Sequence, residues 1–111
     1  AIPLSNLTAR DLIETMPAAF RPERARRVNA VIQFELSGEG GGNWYVTIKD
    51  GTCTVTEGVS EAAQGTIIMT ASDYAALAAG EIGGMKAFLT GRIKTKGDFT
   101  LLKKMETWFP R

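Results

Sequence analysis

Three groups of residues in this 111-residue chain are of types that could do chemistry. They are the lone thiol Cys53, the glycine-rich run Gly38-Glu39-Gly40-Gly41-Gly42-Asn43, and the cations gathered towards the C-terminus. The rest of the composition closes most mechanisms to them. There is no histidine, which removes Ser-His-Asp and Cys-His nucleophile systems along with the commonest metal ligand. One cysteine without histidine excludes a zinc or iron–sulfur site within one chain. A carboxylate site for calcium or magnesium stays open in principle, but the acids are scattered and no D-x-D-x-D-G loop occurs. The chain is read as a non-enzyme, with no catalytic residue, no metal and no cofactor.

The glycine run lacks the Lys-Ser/Thr of a P-loop and joins two strands instead of a strand and a helix. Without a helix N-terminus behind it, a flexible hairpin loop is the better reading. Arg24, Arg26 and Arg27 have no aromatic stacking residues among them, so a solvated helix end is preferred over a nucleic-acid contact. The overall charge is uneven. Residues 1–85 carry six basic and ten acidic groups, net −4, whereas residues 86–111 carry seven and two, net +5. A basic C-terminal third attracts anionic headgroups, a coenzyme A phosphate or nucleic acid. A solvated face whose Lys stems cover apolar surface has the same composition. The same third is rich in long, flexible or aromatic apolar residues: Met85, Phe88, Leu89, Leu102, Met105, Trp108 and Phe109, with Met69 just ahead. Such side chains line ligand cavities, and they also fill ordinary cores.

These residues need elements to hold them. Thr8 and Asp11 form a capping-box pattern ahead of Leu12, Ile13, Met16 and Phe20 at helical spacing, with Pro17 ending or kinking that helix near Met16. Pro22 suits the start of a short turn reaching Arg27. From Val28 the period becomes two: Ala30, Ile32, Phe34 and Leu36 alternate with Val31, Gln33, Glu35 and Ser37, a strand with one buried face. A second strand runs over 44–49, and Asp50-Gly51 is a strong hairpin signal. A two-residue turn there pairs Ile48 with Cys53 and Val46 with Val55 on one face, and Tyr45 with Thr56 and Thr47 with Thr54 on the other. One face is apolar and the other mostly Thr, so the sheet is covered on one side. Cys53 falls on the apolar side, as a small buried hydrophobe.

A fourth strand over 65–70 follows. A helix from the Thr70–Asp73 capping pattern to Ala79 stops at Gly80 and presents Tyr74 and Leu77. A further helix over about 84–90 ends at Gly91, and residues 92–96 read as a short strand. Asp98 caps a last helix with Leu101, Leu102, Met105 and Trp108 or Phe109 inward.

The length fits one domain over 1–111, able to bury a core without disulfides or metals. No apolar run approaches the roughly 18 residues needed to cross a bilayer. The opening Ala1-Ile2-Pro3-Leu4 lacks a signal peptide's basic and long apolar regions, and it lacks an initiator Met, as a processed or trimmed chain would. With a single cysteine, a reducing cytoplasm is the expected location.

The run Ala87-Phe88-Leu89-Thr90-Gly91-Arg92-Ile93-Lys94-Thr95-Lys96-Gly97-Asp98, then Leu101-Leu102-Lys103-Lys104-Met105, resembles the C-terminal stretch of the sterol carrier protein type-2 family. Val31-Ile32-Gln33-Phe34-Glu35-Leu36-Ser37-Gly38, the Trp44-Tyr45 strand and Lys49-Asp50-Gly51 are similar to that family's front half. The resemblance runs from about Leu7 to Phe109. It implies an α+β fold with a five-stranded, mostly antiparallel mixed sheet, covered on one face by helices with an apolar lipid tunnel between the layers. It also implies carriage of fatty acids, fatty acyl-CoAs, phospholipids or sterols without chemistry. The chain stops at Arg111 without a Ser-Lys-Leu ending, so a stand-alone bacterial-type member is expected instead of a peroxisomal one.

The expected ligand lining is Phe34, Ile48, Met69, Met85, Phe88, Leu89, Leu102, Met105 and Phe109. Lys94 and Lys96 are assigned to a lipid headgroup or to transient contact with an anionic membrane, since alternation sends them to one face and Ile93 and Thr95 to the other. The expected partner is a lipid or fatty acyl ligand, not nucleic acid, and the chain is expected to be a monomer or weak dimer. The rival reading is an interaction or accessory module with a solid core that docks a partner enzyme or a second copy.

Overall fold

The computed structural model describes residues 8–109. Ala1-Ile2-Pro3-Leu4, Leu7 and Arg111, which carry the expectations about the chain's ends, lie outside them. Helix α1 (Ala9–Glu14) opens on the expected capping box. The Thr8 hydroxyl accepts the Asp11 N–H, and the Asp11 carboxylate accepts the Thr8 N–H, both at 3.1 Å. Pro17 has no N–H for the preceding turn, so α2 (Met16–Ala19) starts afresh with Pro17 in its first turn. Pro22 begins a 3-10 turn, Pro22–Arg24.

Five strands follow: β1 (Ala30–Ser37), β2 (Gly42–Lys49), β3 (Thr52–Glu57), β4 (Gly65–Thr70) and β5 (Lys94–Gly97). They form one sheet in the order β3-β2-β1-β4-β5, with β1 and β4 parallel and the other pairs antiparallel. Asp50 and Gly51 both take positive φ (52° and 74°), as a two-residue hairpin turn twisting with its strands requires. The β2–β3 register is the expected one, Ile48 opposite Cys53 and Val46 opposite Val55. Helix α3 (Ala71–Ala78) is capped by Thr70, α4 is Gly84–Leu89, and α5 (Phe99–Trp108) is capped by the Asp98 carboxylate, which accepts the Leu101 N–H at 3.0 Å.

Paired positions share a face, so the register divides the sheet. Ile32, Phe34, Val46, Ile48 and Ile67 look towards the helices, while Gln33, Tyr45, Thr47, Thr66 and Ile68 look away. Helix α2 packs on β3, α3 on β1 and β4, and α5 on β4. The core between the layers is built on Trp44, Trp108, Phe34, Ile13, Ile32 and Ile48. The architecture is thus the expected α+β, five-stranded mixed sheet with its helices on one face.

Two local expectations change. Gln33, on the open face of β1, is buried: its Nε2 donates to the carbonyls of Trp44 (3.0 Å) and Gly58 (2.9 Å), and its Oε1 accepts the Ser60 N–H (2.8 Å). The crossover from β3 to β4 runs against it, and a buried amide must be paired. The last strand also starts later than residue 92. Gly91 at φ 81° lets the Arg92 and Ile93 N–H groups turn back to the Ala87 carbonyl, so 91–93 close α4 instead of extending β5.

Candidate functional site

The nine apolar residues expected to line a ligand separate into two sets. Phe34, Ile48, Met69 and Leu102 are buried in the layer between sheet and helices, and Met105 and Phe109 are half-buried against it. Phe34 meets Tyr74 edge-on at 6.0 Å. Leu102 lies so close to Gly65 that a Cβ there would meet Leu102 Cδ2 at 2.9 Å, so glycine is what lets α5 seat on β4. The other three stand apart on α4, in solvent: Met85 is 65% exposed, Leu89 74% and Phe88 37%.

The rim of the inner layer is incompletely covered: twelve hydrophobic residues, among them Met16, Phe20, Ile67, Leu101, Met105 and Phe109, pack on the core yet keep part of their surface in water. The Phe20 and Phe109 rings lie 5.6 Å apart, and the Arg21 N–H donates to the Trp108 carbonyl at 2.8 Å. The end of α5 is thereby held against the segment that follows α2. Two open depressions take none of these six residues into their lining. One, of about 480 Å³, is bordered by Thr8, Ser37, Glu39, Thr70 and Ser72. The other, of about 360 Å³, is bordered by Ile68, Met69, Asp73, Thr90, Arg92 and Lys94, and so brings together the expected residues Met69 and Lys94. Neither takes a lining residue from α5, so neither is the interlayer tunnel that the resemblance implies.

Phe99 was not among the expected residues, yet it is 48% exposed and its ring lies 5.3 Å from that of Phe88. Helical spacing could not find the pair, because the two rings belong to different helices and meet only through the return of the chain along β5. Lys94 and Lys96 are exposed and pair with Ile68 and Thr66, so they point from the sheet face opposite the helices. That face is opposite the inner apolar layer, although Lys94 borders the smaller depression together with Met69.

Charge ties α1 to the sheet edge. Arg10 Nη2 lies 2.9 Å from Glu57 Oε2, Arg10 Nη1 lies 3.2 Å from Glu14 Oε2, and the guanidinium sits 5.4 Å from the centre of the Trp44 ring. The hydrogen bond to Arg10, then its charge, holds the Glu57 carboxyl below its ordinary value, and Arg10 is raised in turn. Burial pushes the Cys53 thiol up to about 11, which makes it a poor nucleophile. Among the described residues no cluster of Cys, Asp or Glu could hold a metal ion, and no helix is long and apolar enough to cross a membrane.

An open mixed sheet with helices on one face and a hydrophobic seam between the layers makes a two-layer α+β domain. The chain belongs to the SCP-2 sterol transfer family, whose model matches residues 11–110. It is 36% identical over 85 residues to hydroxysteroid dehydrogenase-like protein 2 of Mus musculus, a match covering 76% of this chain and 17% of the relative. The matched stretch thus spans between about a sixth and a quarter of the length of the curated relatives. Among solved structures it is similar to palmitated SCP2L2 from Aedes aegypti, with a TM-score of 0.77 at 22% identity, covering 95% of this chain and 96% of that one. It is also similar to part of the stereoselective inverting sec-alkylsulfatase Pisa1 from Pseudomonas sp., with a TM-score of 0.81 at 17% identity, covering 95% of this chain and 17% of that one.

Proposed function

We propose that this chain is a non-enzymatic lipid carrier that shelters an acyl chain or a comparable apolar ligand in the seam between the sheet and helices α1, α2 and α5. The observation that carries the reading is the unsealed rim, where Met16, Phe20, Ile67, Leu101, Met105 and Phe109 are packed on the core but incompletely covered. Each methylene moved from water into that seam contributes about 0.8 kcal/mol, offset in part by the cost of ordering chain and side chains. Burial is non-directional, so broad selectivity among fatty acids, acyl-CoAs, phospholipids and sterols follows. Met69, Met16 and Met105 suit a site that must repack, because an unbranched thioether adapts to different shapes. The palmitated neighbour from Aedes aegypti supports an acyl ligand. Phe34, Ile48, Leu102 and Phe109 complete the lining, and Met85, Phe88 and Leu89, exposed on α4, are left out of it.

A second reading has its own observation. The matched relatives are several times longer than this chain, so a domain of this kind also serves as an accessory module beside an enzyme. One titration separates the two. A fluorescent fatty acid should bind at one site per chain, be displaced by other long-chain lipids, and raise the melting temperature, since a ligand of the native state must stabilise it. A titration that shows neither displacement nor a thermal shift would favour the accessory module.

A further inference from the structure

We propose that α4 and the head of α5 form a docking face for an anionic lipid bilayer. Met85 and Leu89 are four residues apart and Phe88 lies between them, so all three fall in one outward arc of α4. Phe99 extends the arc across to α5 through its ring contact with Phe88. On the opposite side of α4, Ala87 is buried and its carbonyl accepts the Arg92 and Ile93 N–H groups. That anchor prevents the helix from rolling its apolar arc inward. Four large apolar side chains therefore stand together in water, an arrangement that marks an interaction surface.

The charges around the arc select the occupant. Of the six cations between Ile82 and Met105, Lys94 and Lys96 point from the opposite sheet face, and the one acid there, Asp98, is already engaged as the cap of α5. Lys86 borders the arc on α4. Lys103 follows Phe99 by four residues on α5, and both lysines are exposed. An apolar face rimmed by free cations complements an interface whose headgroups are negative and whose interior is hydrocarbon, with Lys stems reaching outward to the phosphates. A second copy suits it poorly, because a two-fold contact would bring lysines against lysines.

The test is cosedimentation of the whole chain with vesicles of phosphatidylserine and phosphatidylcholine in equal parts, and with phosphatidylcholine alone, at low and high salt. Binding to the anionic vesicles should exceed binding to the neutral ones by about tenfold or more and weaken with salt. Met85→Ser with Leu89→Ser should lower the affinity about tenfold at either salt, because apolar burial is not screened. Lys86→Glu with Lys103→Glu should do so at low salt and have little effect at high salt. All four positions are exposed, so both variants should melt as the parent does. Failure to sediment with anionic vesicles, equal binding by parent and both variants, or a dimer abolished by the serine pair would overturn the proposal. Fatty-acid affinity measured without vesicles is a separate readout: its absence in the parent chain would remove the carrier function and leave the docking face standing.

Discussion

Gln33 shows how one polar side chain can organise two segments. Its amide joins β2 through Trp44 and the β3–β4 crossover through Gly58 and Ser60. Gln33→Leu keeps the volume but takes the amide from two carbonyls and an N–H, each costing about 1–3 kcal/mol where it stays out of water. The variant should lose at least about 2 kcal/mol in urea denaturation, although it makes the strand more hydrophobic. Cys53 offers a test of burial at the other edge. With its thiol raised to about 11, roughly one molecule in a thousand is thiolate near pH 8. Alkylation by iodoacetamide should be slow there, rise about tenfold per pH unit, and become fast in denaturant. A fast reaction in the native chain near pH 8 would show that the thiol is not desolvated.

At the scale of elements, placement depends on caps and clamps. Asp98 ends β5 and caps α5, so Asp98→Ala should cost about 1 kcal/mol and loosen the helix that carries Leu102 and Met105. Amide hydrogen exchange should show this as lost protection in the first turn of α5, with β1 and β2 unchanged. The Arg10–Glu57 pair is exposed, and its effect on stability is correspondingly small. Its sign is nonetheless defined. Because Arg10 lowers the Glu57 carboxyl from an ordinary 4.5, the contribution is complete above that value and is lost as pH falls through the lowered one. The melting-temperature gap between the parent and Glu57→Gln should therefore be widest near neutrality and close as the pH falls through the lowered value. A gap that stayed constant would mean that the carboxylate does not hold α1.

Over the whole molecule, the apolar residues do two jobs, and stability should tell them apart. Phe34 is buried under Tyr74, so Phe34→Ala should cost the roughly 3–5 kcal/mol usual for emptying a packed aromatic site. Phe88 is more than a third exposed, and Phe88→Ala should cost well below that range in the same denaturation experiment. Equal costs would mean that α4 is part of the core. The sequence by itself determined the local devices: the capping patterns at Thr8, Thr70 and Asp98, the Asp50-Gly51 turn with its cross-strand register, and the alternation that buries one face of β1 and β2. Each of these depends on neighbours within a few residues, where backbone geometry leaves few choices. Residue order also carried the family resemblance, through the spacing of Gly91, Gly97 and Asp98. Only the tertiary structure decided the parallel pairing of β1 with β4, because a crossover of that length carries no register signal. Tertiary contact also buried Gln33 against a loop that no periodicity links to it. It divided the apolar residues into a seam and an outer arc, since helical spacing shows that side chains share a face but not what that face meets. Met85, Phe88 and Leu89 have the pattern of core residues, and they are on the surface because Ala87, the small residue among them, is the one turned inward.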